Sequence, residues 1–282
     1  MPTGKPPTLR QQRLGAELRK LRERAGLSST DAARLHGVNQ ARMSMIEAGR
    51  YAVSADRVRT FARNYRCPDR ELVDALAAMT GGRTRGWWDE YQELLPNALL
   101  DLAELEHHST ALRIGLIVHV PGLLQTADHV RAGLRETVPP LRPYEVEHLV
   151  SFRIKRQAVL YRDRMQYTAI VHEAALRMER GGPEVARRQL EYLIEASEQD
   201  NITIRVIPFG AAAFTPSGQS ITYAYGPVPQ LDTVELDTDH GCDFLDSETQ
   251  LTNYRSVLDR MEGSSLPPEK SRDLIRQIAQ DT

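Results

Sequence analysis

The stretch from Leu27 to Arg50 constrains this 282-residue chain more than any other, because its punctuation fits two short helices joined by a tight turn. Ser28 is a side-chain cap for the free N–H groups of a helix start, and Asp31 three residues later completes a capping-box-like pair. Ala32, Ala33 and Leu35 follow at helical spacing. Gly37 supplies a residue that accepts a left-handed backbone, Val38 fills the angle between the helices, and Asn39 caps a second helix beginning at Gln40. On that helix Met43, Ile46 and Ala48 form the inward stripe, which leaves Gln40, Ala41, Arg42, Ser44 and Met45 outward.

Those outward side chains suit a DNA groove. Gln40 and Arg42 carry paired hydrogen-bonding groups that match adenine and guanine edges, and Ala41 and Met45 can meet a thymine methyl. Asn39, Ser44, Arg50 and Arg13 are the expected phosphate contacts. A helical hairpin with a solvated polar face would show the same local pattern, so the flanks decide. Upstream, Leu14, Leu18 and Leu21 repeat at spacings of four and three through a helix from Leu9 to Ala25 that Gly26 closes. Downstream, Ser54 caps a helix carrying Val58, Phe61, Ala62 and Tyr65, and Pro68 opens a fifth with Leu72, Val73, Leu76 and Met79. Five helices in the first 80 residues make a compact all-α domain with the motif at helices two and three.

Charge points the same way. Residues 1–80 hold 15 Lys and Arg against 8 Asp and Glu, a net of +7, whereas the remainder holds 21 against 30, a net of −9. A basic module attached to an acidic one is the split expected when one end meets a polyanion. Lys5 and Arg10, in a Pro-rich N-terminal arm, are candidates for added backbone or minor-groove contacts.

The order of helices, together with Arg13-Leu-Gly, Leu18-Arg-Lys-Leu-Arg-Glu-Arg-Ala-Gly-Leu-Ser and Met43-Ser-Met-Ile-Glu-Ala-Gly-Arg50, resembles the Xre-type helix-turn-helix family over residues 9–80. The resemblance implies a lambda-repressor-like five-helix fold and a sequence-specific contact with double-stranded DNA. A regulator of this kind is expected to be a homodimer, so that two recognition helices meet successive major grooves of a near-palindromic operator.

Gly81-Gly-Arg-Thr-Arg-Gly86 reads as a linker, with three glycines in six residues and no apolar period, so the domains are 1–80, linker 81–86 and 87–282. The second domain mixes helical patterns (89–95, 98–107, 123–134, 144–161, 173–180, 184–199, 247–261 and 268–280) with strand-like runs at 112–118, 166–171, 202–207, 219–225, 233–236 and 242–245. Helices mixed with strands predict an α/β or α+β domain built on one mixed sheet. Trp87-Trp-Asp-Glu-Tyr91, Val120-Pro-Gly-Leu-Leu-Gln-Thr126, His172-Glu-Ala-Ala-Leu-Arg177 and Val206-Ile-Pro-Phe209 resemble the C-terminal domain of the WhiJ-like or Scr1-type actinobacterial regulators, over about residues 85–280. That resemblance implies transcriptional control and often a small co-encoded partner protein, in arrangements likened to antitoxin and antirepressor pairs.

Three patterns in this domain bear on ligands. Trp87, Trp88 and Tyr91 gather aromatic area that lines a pocket for an effector or partner, or else packs the domain. The acids from Asp232 to Glu248 fit a hairpin with alternating exposed carboxylates, or a cation or basic-partner site. His172-Glu-Ala-Ala-Leu176 stops one ligand short of a zinc-protease helix, and no nucleophile elbow, phosphate-cradling loop or paired cysteine motif appears, so neither an enzyme nor a cofactor is expected. Cys67 and Cys242 stand apart, no apolar run spans a bilayer, and the expected location is the cytoplasm.

Overall fold

The computed structural model describes residues 6–80, 86–211, 219–238 and 241–282. Lys5, most of the expected linker, Asp239 and His240 lie outside them. The chain forms two compact units, Met1–Asp89 and Glu90–Thr282. The division falls after Asp89, so Trp87 and Trp88 group with the N-terminal unit.

The N-terminal unit is five helices, α1 (Leu9–Arg24), α2 (Ser29–Leu35), α3 (Gln40–Glu47), α4 (Ala55–Asn64) and α5 (Arg70–Ala78). Each is started by a polar side chain that accepts the backbone N–H three residues on: Thr8, Ser28, Asn39, Ser54 and Asp69. Short helices leave a large share of their donors unpaired, so each such cap contributes about 1 kcal/mol where the helix could not persist alone. Leu18, Met43, Ile46, Val58, Phe61 and Leu76 are buried in its core. Ala48, expected inward, is instead the exposed C-cap of α3, because Gly49 turns the chain away at φ 68°.

The C-terminal unit follows a 3₁₀ turn at Trp87–Tyr91 and runs α6 (Asn97–His108), β1 (Ala111–Leu116), α7 (Ala127–Arg135), α8 (Pro143–Arg156), β2 (Gln166–His172), α9 (Glu173–Leu176), α10 (Pro183–Ala196), β3 (Ile202–Ile207), β4 (Ser220–Tyr225), β5 (Thr233–Thr238), β6 (Gly241–Leu245), α11 (Glu248–Gly263) and α12 (Pro268–Asp281). The strands make one sheet in the order β3-β2-β1-β4-β5-β6, parallel from β3 to β1 and antiparallel from β1 to β6. This is the α+β architecture expected from the sequence. Leu190 and Leu193 of α10 and Ile275 and Ile278 of α12 pack with Tyr167, Ile204 and Val206 on one face, and Leu251, Leu258 and Met261 of α11 pack with Ile221, Tyr223 and Val234 on the other.

Two expected helices are interrupted. The 123–134 pattern divides into a 3₁₀ turn at Gly122–Leu124 and α7, because Thr126 caps a fresh start by accepting from the His129 N–H. The 144–161 pattern leaves α-geometry at Arg156 and finishes as a 3₁₀ turn, Gln157–Tyr161. The acidic tract also departs from expectation: Asp232 and Glu235 are each only 3% exposed. β5 is an inner strand between β4 and β6, so its alternation sends Glu235 into a covered face rather than to water. Asp232 accepts from the Tyr223 hydroxyl at 2.9 Å and the Gly226 N–H at 3.0 Å.

Candidate nucleic-acid interface

The second and third helices meet through the turn that the sequence predicts. Ser28 Oγ accepts from the Asp31 N–H at 3.1 Å, Gly37 sits at φ 63°, and Asn39 Oδ1 accepts from the Arg42 N–H at 2.8 Å. α3 buries Met43 and Ile46 and leaves Gln40, Ala41, Ser44 and Met45 exposed. A helix of this diameter fits the major groove, and its outward set combines an amide, a hydroxyl and two groups suited to a thymine methyl.

Arg42 is not a loose probe. Its guanidinium lies 4.2 Å from the centre of the Tyr51 ring, and its Nη2 donates to the Tyr51 hydroxyl. Stacking of this kind holds a planar fork in one orientation, which reduces the entropy lost when that fork meets a base edge. Tyr51 is therefore part of the surface although the sequence reading did not single it out. An aromatic residue one position past Gly49-Arg50 was the available signal. Arg50 is exposed beside it.

Two expected contacts fall elsewhere. Arg13 is buried and paired with Glu17 at 3.0 Å, so it stabilises the inner face of α1 and does not join the outward set. Arg10 belongs to α1 rather than to an arm, and donates to the Ala78 carbonyl at 3.2 Å.

What fixes α3 in place is a buried fork. Arg22 donates through Nε to Glu47 Oε1 at 2.6 Å, through Nη2 to Glu47 Oε2 at 3.0 Å, and through Nη1 to the Leu27 carbonyl at 2.7 Å. One arginine thus ties α1, the start of α2 and the end of α3 together, with both partners largely out of water. Tyr65, pushed up to about 12 by burial and then by the Glu47 charge, stays a neutral phenol beside it. The backbone approach is equally close: a Cβ at Gly15 would stand 2.6 Å from the Glu47 carbonyl oxygen, and one at Gly49 would stand 2.5 Å from that of Gln11. Only glycines allow α1 to cross the end of α3 this closely.

The residues singled out as ligand candidates beyond the helix-turn-helix are packed or capping. Trp88 and Tyr91 are buried, and Trp87 meets Trp88 edge to face at 6.0 Å. Tyr91 shares a 2.9 Å hydrogen bond with Ser151 and packs edge to face on Phe152. The His172 ring nitrogen Nδ1 accepts from the Ala174 N–H at 3.1 Å and so caps the single turn of α9. Among the described residues no group of three or more His, Cys, Asp or Glu is placed to hold a metal ion.

A capped, two-helix unit whose outer helix is braced from behind and polar in front defines a helix-turn-helix protein of the DNA-binding regulator class. Residues 13–76 match the family described as Helix-turn-helix domain, in agreement. Residues 99–277, more than half of the chain, match the family described as Domain of unknown function (DUF5753), and the chain belongs to that family. No curated protein and no solved structure matches it. No described helix is long and apolar enough to cross a membrane.

Proposed function

We propose that this chain is a sequence-specific transcriptional regulator of the actinobacterial Xre type, working as a homodimer on a near-palindromic operator. Gln40, Ala41, Arg42 and Met45 read base edges, and Asn39, Ser44 and Arg50 hold phosphates. The observation that carries this reading is the division of α3: Met43 and Ile46 are sealed inward, while Gln40, Ala41, Ser44 and Met45 are exposed and Arg42 is held on Tyr51. Two copies would set their α3 helices about 34 Å apart in successive major grooves. The C-terminal unit controls that contact through an effector or a small partner protein, and the chain performs no catalysis of its own.

The test is selection from randomised duplexes with the full-length protein, followed by competition among the selected sites. The expected product is an inverted repeat. Arg42→Ala costs about 1–3 kcal/mol on that site and relaxes the choice of base at one position of each half-site. Selection that returns no common sequence, or a preference unchanged in both Gln40→Ala and Arg42→Ala, rejects the assignment.

A further inference from the structure

One side of the C-terminal sheet is not closed by packing. A cavity of about 280 Å³ lies over β1, β4, β5 and β6, walled by α6, α8 and the Val120–Gln125 turn. Its walls combine apolar groups such as Leu102, Leu123 and Phe152 with an unusual density of charge for a domain interior. Arg156 and Glu106 satisfy each other there through two hydrogen bonds of 2.9 and 2.6 Å. Arg153 and Arg180 do not have such a partner: among the described residues neither has a carboxylate within 4.0 Å. Among the described residues Arg153 donates a single hydrogen bond, of 3.3 Å, to the neutral amide of Gln125. That amide is itself fixed by donating to the Val120 carbonyl at 2.8 Å.

A partly buried arginine without a counter-ion is costly to fold around, and burial, reinforced by the Arg156 charge, pulls its pKa down to about 10. Opposite the arginines stand two carboxylates of β5, Glu235 in the depth and Asp237 at the exposed edge. Thr222 stands opposite Glu235 across the β4–β5 ladder, and Cys242 of β6 lines the cavity beside them. The cavity is therefore two-ended, with cations on the α8 side and acceptors on the β5 side. Sequence pattern alone does not show this pairing, since the two ends come from positions some eighty residues apart.

We propose that this cavity is the binding site of a small organic acid that also carries an amine or hydroxyl donor, its anionic group meeting Arg153 and Arg180 and its donor meeting Glu235 and Asp237. Apolar walls and a few convergent polar groups are the usual make-up of a small-molecule site. An anion arriving at Arg153 supplies the charge that the fold omits, so binding energy is concentrated there. Gly122 lines the cavity, and a Cβ on it would meet nothing within 4 Å, so a larger side chain there has room to extend into the space. The proposal names the effector chemistry of the regulator reading, and ligand binding is measured without DNA so that the two can fail separately.

The experiment is thermal unfolding of the full-length protein with two sets of probes, each compared with sodium chloride at equal ionic strength. One set is the α-amino acids and the corresponding hydroxy acids. The other is inorganic phosphate, O-phosphoserine and phosphoethanolamine, which separates a carboxylate from a phosphate as the anionic group. The expected result is a saturable rise in melting temperature from a member of one set, with none from its methyl ester if it is a carboxylate. Arg153→Met weakens that ligand at least tenfold while raising the melting temperature of the ligand-free protein by roughly 2–4 °C, since a purely structural arginine would lower it. Gly122→Leu blocks binding without changing any charge, and Arg180→Gln replaces Arg153→Met if the latter does not fold. Shifts that follow ionic strength alone in both sets overturn the proposal, and so does a ligand whose affinity is the same in wild type, Arg153→Met and Gly122→Leu.

Discussion

The two units treat buried arginine in opposite ways. In the N-terminal unit Arg13 and Arg22 are buried against Glu17 and Glu47, and every helix is capped by a side chain. In the C-terminal unit Arg156 is matched by Glu106, but Arg153 sits in a cavity with no carboxylate in ion-pair range among the described residues, while Glu235 is buried across from it. A core that pairs its most deeply buried arginines with carboxylates is built to be rigid and to present a surface. One that leaves charge unsatisfied is less stable than it needs to be, and such local conflict marks functional sites.

The comparison is broken most sharply at the buried fork. Glu47→Ala strands Arg22 among α1, α2 and α3 and should cost about 3–5 kcal/mol, unfolding the N-terminal unit first. Calorimetry of the full-length protein would show its transition falling while that of the C-terminal unit stays in place. A loss below 1 kcal/mol would mean that the fork is not what braces α3.

Next comes pH, which acts on the other unit. Burial lifts Glu235 from 4.5 to about 7, so its contribution is complete below 4.5 and is lost as pH rises through 7. Burial, aided by Arg180 and Arg153, drops His129 from 6.5 to about 4, so its contribution is present above 6.5 and is lost as pH falls through 4. Between 4.5 and 6.5 the two slopes oppose each other and stability should be nearly flat. Glu235→Gln then leaves a stability that climbs with pH in that window, and His129→Gln one that falls, each by roughly 2–3 kcal/mol overall. Urea titrations at several pH values check the signs.

Smaller effects sharpen the N-terminal half. Gly15→Ala forces a methyl against three backbone atoms at 2.6–2.7 Å and should cost about 1–3 kcal/mol, with DNA binding recovered at low temperature. Asn39→Ala removes the α3 cap and should cost about 1 kcal/mol, read as earlier melting of α3 in amide exchange.

The N-terminal unit was legible because its determinants are local. Caps, a left-handed glycine and a 3.6-residue stripe all lie within one helix or its flanks, and Ser28, Gly37 and Asn39 take the roles that their types predict. The misses there are the choice of partner and the direction in which a long side chain turns. Nothing in the sequence around Arg22 indicates that it reaches Glu47, and nothing around Arg13 indicates that it turns inward. In the C-terminal unit the six strands are readable from β-branched runs, but the order β3-β2-β1-β4-β5-β6 is not. That order makes β5 an inner strand, which is why an acidic tract resembling a solvated hairpin instead supplies a cavity wall.

The central claim is that α3 divides its labour between reading bases and holding the backbone. It is tested most directly by the salt dependence of binding to the selected operator and to an unrelated duplex, for wild type, Arg50→Ala and Arg42→Ala. Arg50→Ala should weaken both duplexes alike and reduce the slope of log affinity against log salt by about 1. Arg42→Ala should act mainly on the operator, narrowing the gap between the two duplexes. Equal loss on both duplexes from Arg42→Ala, or no loss from either substitution, would contradict the assignment of α3 as the reading helix.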